Sequence, residues 1–350
     1  MSNRRFVAMF ALNAALALPW AAALAQPPLP SDRHGEVVPR DVREMYDRGM
    51  QFLAAKQDQS GGWSGTGHEG PGVTGMIVMV FLASGEDPNY GVYSQNIRRA
   101  LRSMIGRQNK NTGYFGGSMY HHGFAMLGLS EAYGAVDDRD LWPAETKDKL
   151  SIGQSLELAV RSAITSQEKN SFGAWRYSPD STDADTSVSG AVLVGLLAAR
   201  NAGIEVPDKS IDKAIAYYTN MTSDTGLVGY SGGFGGFDES TARISIAALV
   251  YAIAKRKDLP QYEATMKRLT ENLEHEQGHW AEYSRYYRAQ ALFQGDVEAW
   301  EKWNALLVRQ LKEVQQPDGS FKGQLGANTD TALSLLALAL NYRFLPIYER

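Results

Sequence analysis

Gln57-Asp58-Gln59-Ser60-Gly61-Gly62-Trp63 sits between an amphipathic stretch, 42–56, and an apolar one, 71–84. The phrase returns with the same spacing as Gln315-Gln316-Pro317-Asp318-Gly319-Ser320-Phe321. Looser copies run from Gln108 to Gly113 and Phe115, and from Gln167 to Gly173 and Trp175. A degraded copy runs from Met221 to Gly226 and Tyr230, and a shortened one is Gln277-Gly278-His279-Trp280. A unit that recurs at this interval marks a repeat architecture.

Each copy joins two predicted helices. Those before it fall near 42–56, 97–107, 156–166, 211–220, 262–274 and 300–314. In the last, Trp303, Leu306, Leu307, Leu311 and Val314 recur every three or four residues and make one apolar face. Those after it fall near 71–84, 120–133, 185–201, 240–255, 283–293 and 330–342. Several of these, such as 331–340, are apolar nearly all round, which requires burial all round. Six amphipathic helices alternating with six buried ones predict two concentric layers, either closed into a ring or left as an open superhelix. Periodicity alone does not choose between them.

The Gln-x-x-x-Gly-x-Trp phrase resembles the QW motif of squalene–hopene cyclases and related terpenoid cyclases. Gln57, Gly61 and Trp63 match it fully; Gln315 and Gly319 match with Phe321 in the aromatic place. The resemblance covers 41–350 and implies an all-α (α/α)6 toroid of six helix pairs, with inner and outer rings. Terpenoid cyclases, protein prenyltransferase β-subunits and complement-type thioester domains share that fold. The motif itself is structural. Its Gln can tie a helix end to the next turn, its Gly permits a left-handed backbone, and its aromatic packs on a neighbour.

Composition narrows the function. The chain has 350 residues, 44% of them hydrophobic, enough for a substantial core. There is no Cys. That excludes disulfides, thiolate zinc sites, thioesters and the Cys-ligated zinc of prenyltransferases. A formal charge of −4 argues against a nucleic-acid partner. Arg4 and Arg5, the apolar run 6–18 and Ala23-Leu24-Ala25 predict a signal peptide over 1–25. The run is short for a membrane anchor, so the mature chain is expected to be periplasmic or secreted, without a transmembrane domain. Its formal charge then becomes about −6. Pro27, Pro28, Pro30 and Pro39 predict an extended linker over 26–40, before the toroid at 41–350.

Candidate chemistry gathers at the starts of the predicted inner helices. Thr182-Asp183-Ala184-Asp185-Thr186 resembles the Asp-x-Asp-Asp-Thr run of class II terpenoid cyclases, whose middle Asp protonates an alkene or epoxide. Aligned on Asp-Thr, the donor place holds Ala184; shifted, the run keeps Asp183 and Asp185 and loses its ending. Helix capping by Asp185 explains the same residues, and Asp330-Thr331 repeats the pattern. His275-Glu276-Gln277-Gly278-His279 matches the H-E-x-x-H zinc signature, but Gly278 is expected to break the helix turn that motif needs. Gly229-Tyr230-Ser231-Gly232-Gly233 matches G-x-S-x-G, inside a Gly-rich loop where a nucleophile elbow needs strand and helix. That loop, with six glycines between 226 and 236, also suggests a flap at the ring mouth.

If the ring closes, His122, Arg243, Arg285 and Tyr286 become candidates for binding at a cavity rim. Helix N-termini with Arg243 and Arg285 favour an anionic group there. Asp183, Asp185, Asp238, Glu239 and Asp330 oppose it. The expected function is a non-catalytic or uncharacterised module binding an apolar ligand or a protein. The alternative is a terpenoid cyclase-like enzyme with its acid site at Asp183 and Asp185. Neither metal nor cofactor is expected.

Overall fold

The computed structural model describes residues 38–64, 69–147, 149–232, 236–275 and 278–348. The expected signal peptide and nearly all of the expected linker lie outside these residues. Arg40, the last residue of the expected linker, is already helical. Residues from Val38 onward form one compact unit.

Twelve α-helices fill the described residues. The outer ones are α1 (Arg40–Lys56), α3 (Ser94–Arg107), α5 (Ile152–Glu168), α7 (Asp208–Met221), α9 (Pro260–Glu271) and α11 (Val297–Val314). The inner ones are α2 (Pro71–Ala83), α4 (Met119–Ala132), α6 (Thr186–Asn201), α8 (Thr241–Ile253), α10 (Ala281–Gly295) and α12 (Ala327–Leu338). Each inner helix packs on two inner neighbours, and α12 packs back on α2. The array is therefore a closed (α/α)6 toroid and not an open superhelix. Lys312 reaches Asp41 at 3.0 Å and Arg48 reaches the Gln316 carbonyl at 2.7 Å, so the seam is also bonded. The outer helices are one-sided: α11 buries Trp303, Leu307 and Leu311. Val314, at its C-terminal end, is exposed, against the expected face.

The repeated Gln does one job four times. Gln57 Nε2 donates to the Gly61 carbonyl and to the Asn96 carbonyl of α3, both at 2.9 Å. Gln108 bonds Gly113 (2.8 Å) and Ser155 of α5 (3.0 Å). Gln167 bonds Gly173 (2.7 Å) and Ser210 of α7 (2.9 Å). Gln315 bonds Gly319 (3.0 Å) and Met45 of α1 (2.9 Å). One amide thus closes its own turn and holds the next outer helix. The Gly is obligatory for two reasons: Gly113 has φ +75°, and a Cβ there would stand 2.0 Å from the Leu158 carbonyl oxygen. The indole N–H of Trp63 and of Trp175 donates back to the preceding outer helix, at Leu53 and Ala163.

Two repeats depart from this rule. With Met221 in the Gln place, Gly226 keeps φ +79°, and Arg268 Nε of α9 bonds the Thr225 carbonyl at 2.9 Å instead. Between α9 and α10 the close approach is absent: nothing lies within 4 Å of where a Cβ on Gly278 would be. There a buried guanidinium takes over. Arg288 of α10 donates to the carbonyls of Leu269 (3.1 Å), Asn272 (2.8 Å) and His275 (2.7 Å), and its carbon lies 5.6 Å from the ring centroid of Trp303 in α11. It pins the end of α9 and faces α11 at once.

The ring axis is filled. Small residues bring α2, α4 and α6 together: a Cβ on Gly75 would stand 2.5 Å from the Phe124 carbonyl oxygen. Tyr120 and Phe124 of α4 meet Tyr283, Tyr286 and Tyr287 of α10, with ring centroids 4.8–6.5 Å apart. Tilted and edge-to-face contacts of this kind pack aromatic rings favourably. Among the described residues no helix is long and apolar enough to cross a membrane.

Candidate functional site

A cavity of about 570 Å³ opens at the N-terminal ends of the inner helices. All six contribute to it directly or through their entry loops. Val73 and Met76 of α2 and Leu333 of α12 give an apolar base, and Tyr120 and Tyr283 bring the upper edge of the aromatic plug. The walls are polar and aromatic: His121, Tyr177, Tyr230, Arg243 and Trp280, with Asp238 and Glu239.

One wall is built on the start of α6. The loop carrying Tyr230 is laced to that start: Thr186 N donates to the Tyr230 carbonyl at 2.9 Å, and Gly232 N to the Ala184 carbonyl at 3.1 Å. The two phenol oxygens of Tyr177 and Tyr230 are 3.3 Å apart. Arg176 and Arg243 each stand 5.9 Å from the Tyr230 ring centroid. Arg243 is paired with Asp238 at 2.7 Å and Arg176 with Asp183 at 3.0 Å. Partial burial, then Tyr177 and Asp185, push the Tyr230 phenol above its ordinary range, so it stays a neutral donor.

The facing wall hangs on Asp330. Its carboxylate accepts from Gly323 N (2.8 Å) and Leu325 N (3.2 Å), which fixes the loop entering α12. Gln324 of that loop accepts from Trp280 N at 3.1 Å, and its amide nitrogen lies 3.3 Å from His279 Nδ1. Burial, with Glu282 nearby, lifts the Asp330 carboxyl to about 6, although the loop N–H groups pull it down.

The sequence candidates divide. Arg243 lines the cavity. Arg285 is 3.9 Å from Glu282 and flanks a small crevice with His275 and Arg288, apart from the main cavity. Tyr286 is buried in the plug. His122 is wholly buried and faces α5: its Nε2 lies 3.0 Å from the Ala159 carbonyl oxygen, and Nδ1 accepts from Phe115 N at 3.4 Å. Its neighbour His121 is the one at the cavity, because adjacent helical residues point about 100° apart. Asp183 is half-exposed and ion-paired. Asp185 is wholly buried and caps α6, Oδ1 accepting from Val188 N at 2.9 Å. Neither carboxylate is among the lining residues.

The two literal motifs fare as follows. His275 and His279 fall between α9 and α10, outside both helices; Glu276 and Gln277 lie outside the described residues. Among the described residues no cluster of His, Asp and Glu is arranged to hold a metal ion. Ser231 sits in an irregular loop bridged to Asp185, with no preceding strand, and Gly233 lies outside the described residues. Tyr177, Trp280 and His279 were not singled out from sequence as cavity residues. They sit in repeat turns, where an aromatic reads equally well as packing.

A family model matches residues 43–334. The chain belongs to the family described as "Domain of unknown function (DUF6288)". No curated protein matches it in sequence. Solved structures do match in fold. An inactive variant of the α-1,6-mannanase GH76A of Salegentibacter sp. HEL1_6, in complex with α-1,6-mannotriose, has a TM-score of 0.65 at 10% identity, covering 86% of this chain and 99% of that one. The glycoside hydrolase family 76 mannosidase of Bacteroides thetaiotaomicron VPI-5482 gives 0.59 at 9%, covering 86% and 98%. A type II terpene cyclase from Scytonema, in complex with geranylgeranyl dihydroxybenzoate, gives 0.57 at 16%, covering 87% and 98%. At these identities the likeness is of the toroid alone. The terpene cyclase shares the fold expected from the Gln-Gly-aromatic repeat; membership of the squalene-cyclase family stays a resemblance.

Proposed function

We propose that this DUF6288 chain is an exported, ligand-binding toroid. The observation that carries the reading is the cavity of about 570 Å³ seated on a closed and axially filled ring. That volume is within the range of about 300–1,000 Å³ usual for small-molecule sites, and an apolar base with a few convergent polar groups is their usual make-up. Export rests on the basic start, apolar run and Ala23-Leu24-Ala25. N-terminal sequencing of the mature protein tests it, with Gln26 as the expected first residue. An intact Met1 overturns it.

Binding is favoured over proton-initiated cyclisation by where the carboxylates lie. A cyclase-like acid must reach the ligand, whereas Asp183 is ion-paired, Asp185 caps a helix and Ala184 carries no proton. The aromatic plug also shortens the axial space that a long isoprenoid chain needs. Native mass spectrometry of the purified protein, with parallel extraction of lipids and polar small molecules, is the test. A single co-purifying small molecule supports the reading; a single cyclised isoprenoid product replaces it with the cyclase alternative.

A further inference from the structure

We propose that the cavity takes a short neutral oligosaccharide, stacked on its mouth aromatics and hydrogen-bonded by its mixed polar rim. This rests on the ligand-binding reading above. The first observation is where exposed rings gather. Tyr177, Tyr230 and Trp280 all line this one cavity yet are 49%, 39% and 46% exposed, and Phe237, next to Asp238, is 49% exposed. Rings in a folded protein are normally buried for their area. Several left open around one mouth offer flat apolar faces to a partner, with phenol oxygens and an indole N–H at their edges.

The second observation is charge balance. Every cation described at this rim already has an acid: Arg243 with Asp238 (2.7 Å), Arg176 with Asp183 (3.0 Å), Arg268 with Glu239 (3.8 Å). An anionic ligand would have to compete with these carboxylates, and a cationic one with the two guanidiniums already set against Tyr230. A neutral ligand meets neither penalty. The rim still offers donors (Arg243, the Trp280 indole N–H) beside acceptors (Asp238, Glu239, the phenol oxygens). That alternation suits a polyol, whose hydroxyls each donate and accept.

The third observation separates a sugar from a hydrocarbon. An isoprenoid in this cavity would cover the exposed carboxylates of Asp238 and Glu239 without replacing their hydrogen bonds to water. Each polar group buried unsatisfied bears its full desolvation penalty. A pyranose has an apolar C–H face for a ring and hydroxyls at its edge, so it answers both halves of the lining.

The experiment is isothermal titration and intrinsic tryptophan fluorescence of the mature protein with four probes: α-1,6-mannotriose, maltotriose, cellotriose and xylotriose. Farnesol, spermidine and inorganic phosphate are titrated alongside. Trp280→Ala and Tyr177→Ala are compared with Tyr90→Ala, an exposed tyrosine that does not line the cavity; circular dichroism and Tm check that each variant folds. The expected result is saturable binding of at least one trisaccharide, weakened tenfold or more in both cavity variants and unchanged in Tyr90→Ala. Binding of farnesol, spermidine or phosphate alone, lost in the cavity variants, overturns the sugar class but keeps a ligand cavity. Trisaccharide binding that the cavity variants do not weaken overturns the proposed site. Absence of binding by all seven probes overturns the sugar proposal, while a small molecule found by native mass spectrometry would still uphold the ligand cavity. Product analysis of the bound sugar shows whether the site also cleaves it.

Discussion

The guanidinium carbon of Arg288 lies 5.6 Å from the ring centroid of Trp303, while its nitrogens hold three carbonyls at the end of α9. An inner-helix side chain here does between outer helices what a turn Gln does elsewhere. Arg288→Met keeps the stem and removes the bonds, leaving three carbonyls, the buried one of Leu269 among them, without this donor. A loss of about 2–4 kcal/mol in urea unfolding is expected. Arg288→Lys should recover only part, since an ammonium lacks the planar fork. A loss under 0.5 kcal/mol in Arg288→Met would mean the outer layer holds without it.

The repeat turn yields a sharper contrast. Gly113→Ala places a Cβ 2.0 Å from a backbone oxygen at φ +75°, so backbone must move. It should unfold more readily than Gln167→Ala, which leaves the turn's path intact and removes two hydrogen bonds, worth about 1–3 kcal/mol together. Tm measurements on the two variants decide it; the reverse order would make the amide, not the glycine, the mainstay of the turn.

Much of the ring was legible because its signals are periodic. The Gln-Gly-aromatic phrase located every inner-helix start within a few residues, and all-round apolarity marked 331–340 as an inner helix. Closure was not legible: it depends on α12 meeting α2, a relation between the two ends of the repeat array with no local code. The site was half legible. Arg243, Asp238 and Glu239 lie near a predicted helix start and were noticed. His122 was preferred to His121 because a one-residue change in helical phase cannot be read before the neighbours are placed. The aromatic plug was missed since Tyr120, Phe124 and Tyr283 converge from helices far apart in the chain.

His122 should govern part of the acid response. Burial lowers its pKa from 6.5 to about 4, against the pull of the Ala159 carbonyl. Between those values the unfolded chain binds the proton and the native one does not. The contribution is complete above pH 6.5 and is lost as pH falls through about 4, about 3 kcal/mol at most. His122→Gln retains a donor and an acceptor but cannot titrate. Unfolding free energies at pH 7.5, 5.5 and 4.5 should fall less steeply in the variant; parallel lines would assign the response to other groups.

Asp330 acts with the opposite sign. Its folded pKa, about 6, lies above the ordinary 3.8, so the native state holds the proton more tightly. Its contribution is complete below pH 3.8 and is lost as pH rises through about 6. Asp330→Asn keeps one acceptor for the Gly323 or Leu325 N–H and removes the titration. Relative to wild type, the variant should therefore gain stability steadily between pH 4 and 7. Because the same loop braces Trp280 through Gln324, Trp280 fluorescence followed over that range reports the wall directly. A variant offset from wild type by a constant amount at every pH would show that Asp330 does not titrate there.

The carboxylates at the start of α6 give the last test. Wild-type protein incubated with squalene and shorter isoprenoids is expected to form no cyclic product. Protonating an isolated alkene requires an acid that stays protonated and is made strongly acidic by its surroundings. Asp183 is half-exposed and ion-paired with Arg176 at 3.0 Å. Asp185 is buried, accepts from the Val188 N–H at the start of α6, meets the Tyr230 phenol and does not line the cavity. Removing the cap separates the two roles. Asp185→Ala should lower stability by about 0.5–2 kcal/mol, and Asp185→Asn, itself a good cap, by less. Trisaccharide affinity should stay within threefold of wild type in Asp185→Asn, because the carboxylate does not line the cavity. Cyclic product from wild type that disappears in Asp183→Asn or Asp185→Asn would make this segment an acid site, and the toroid a cyclase.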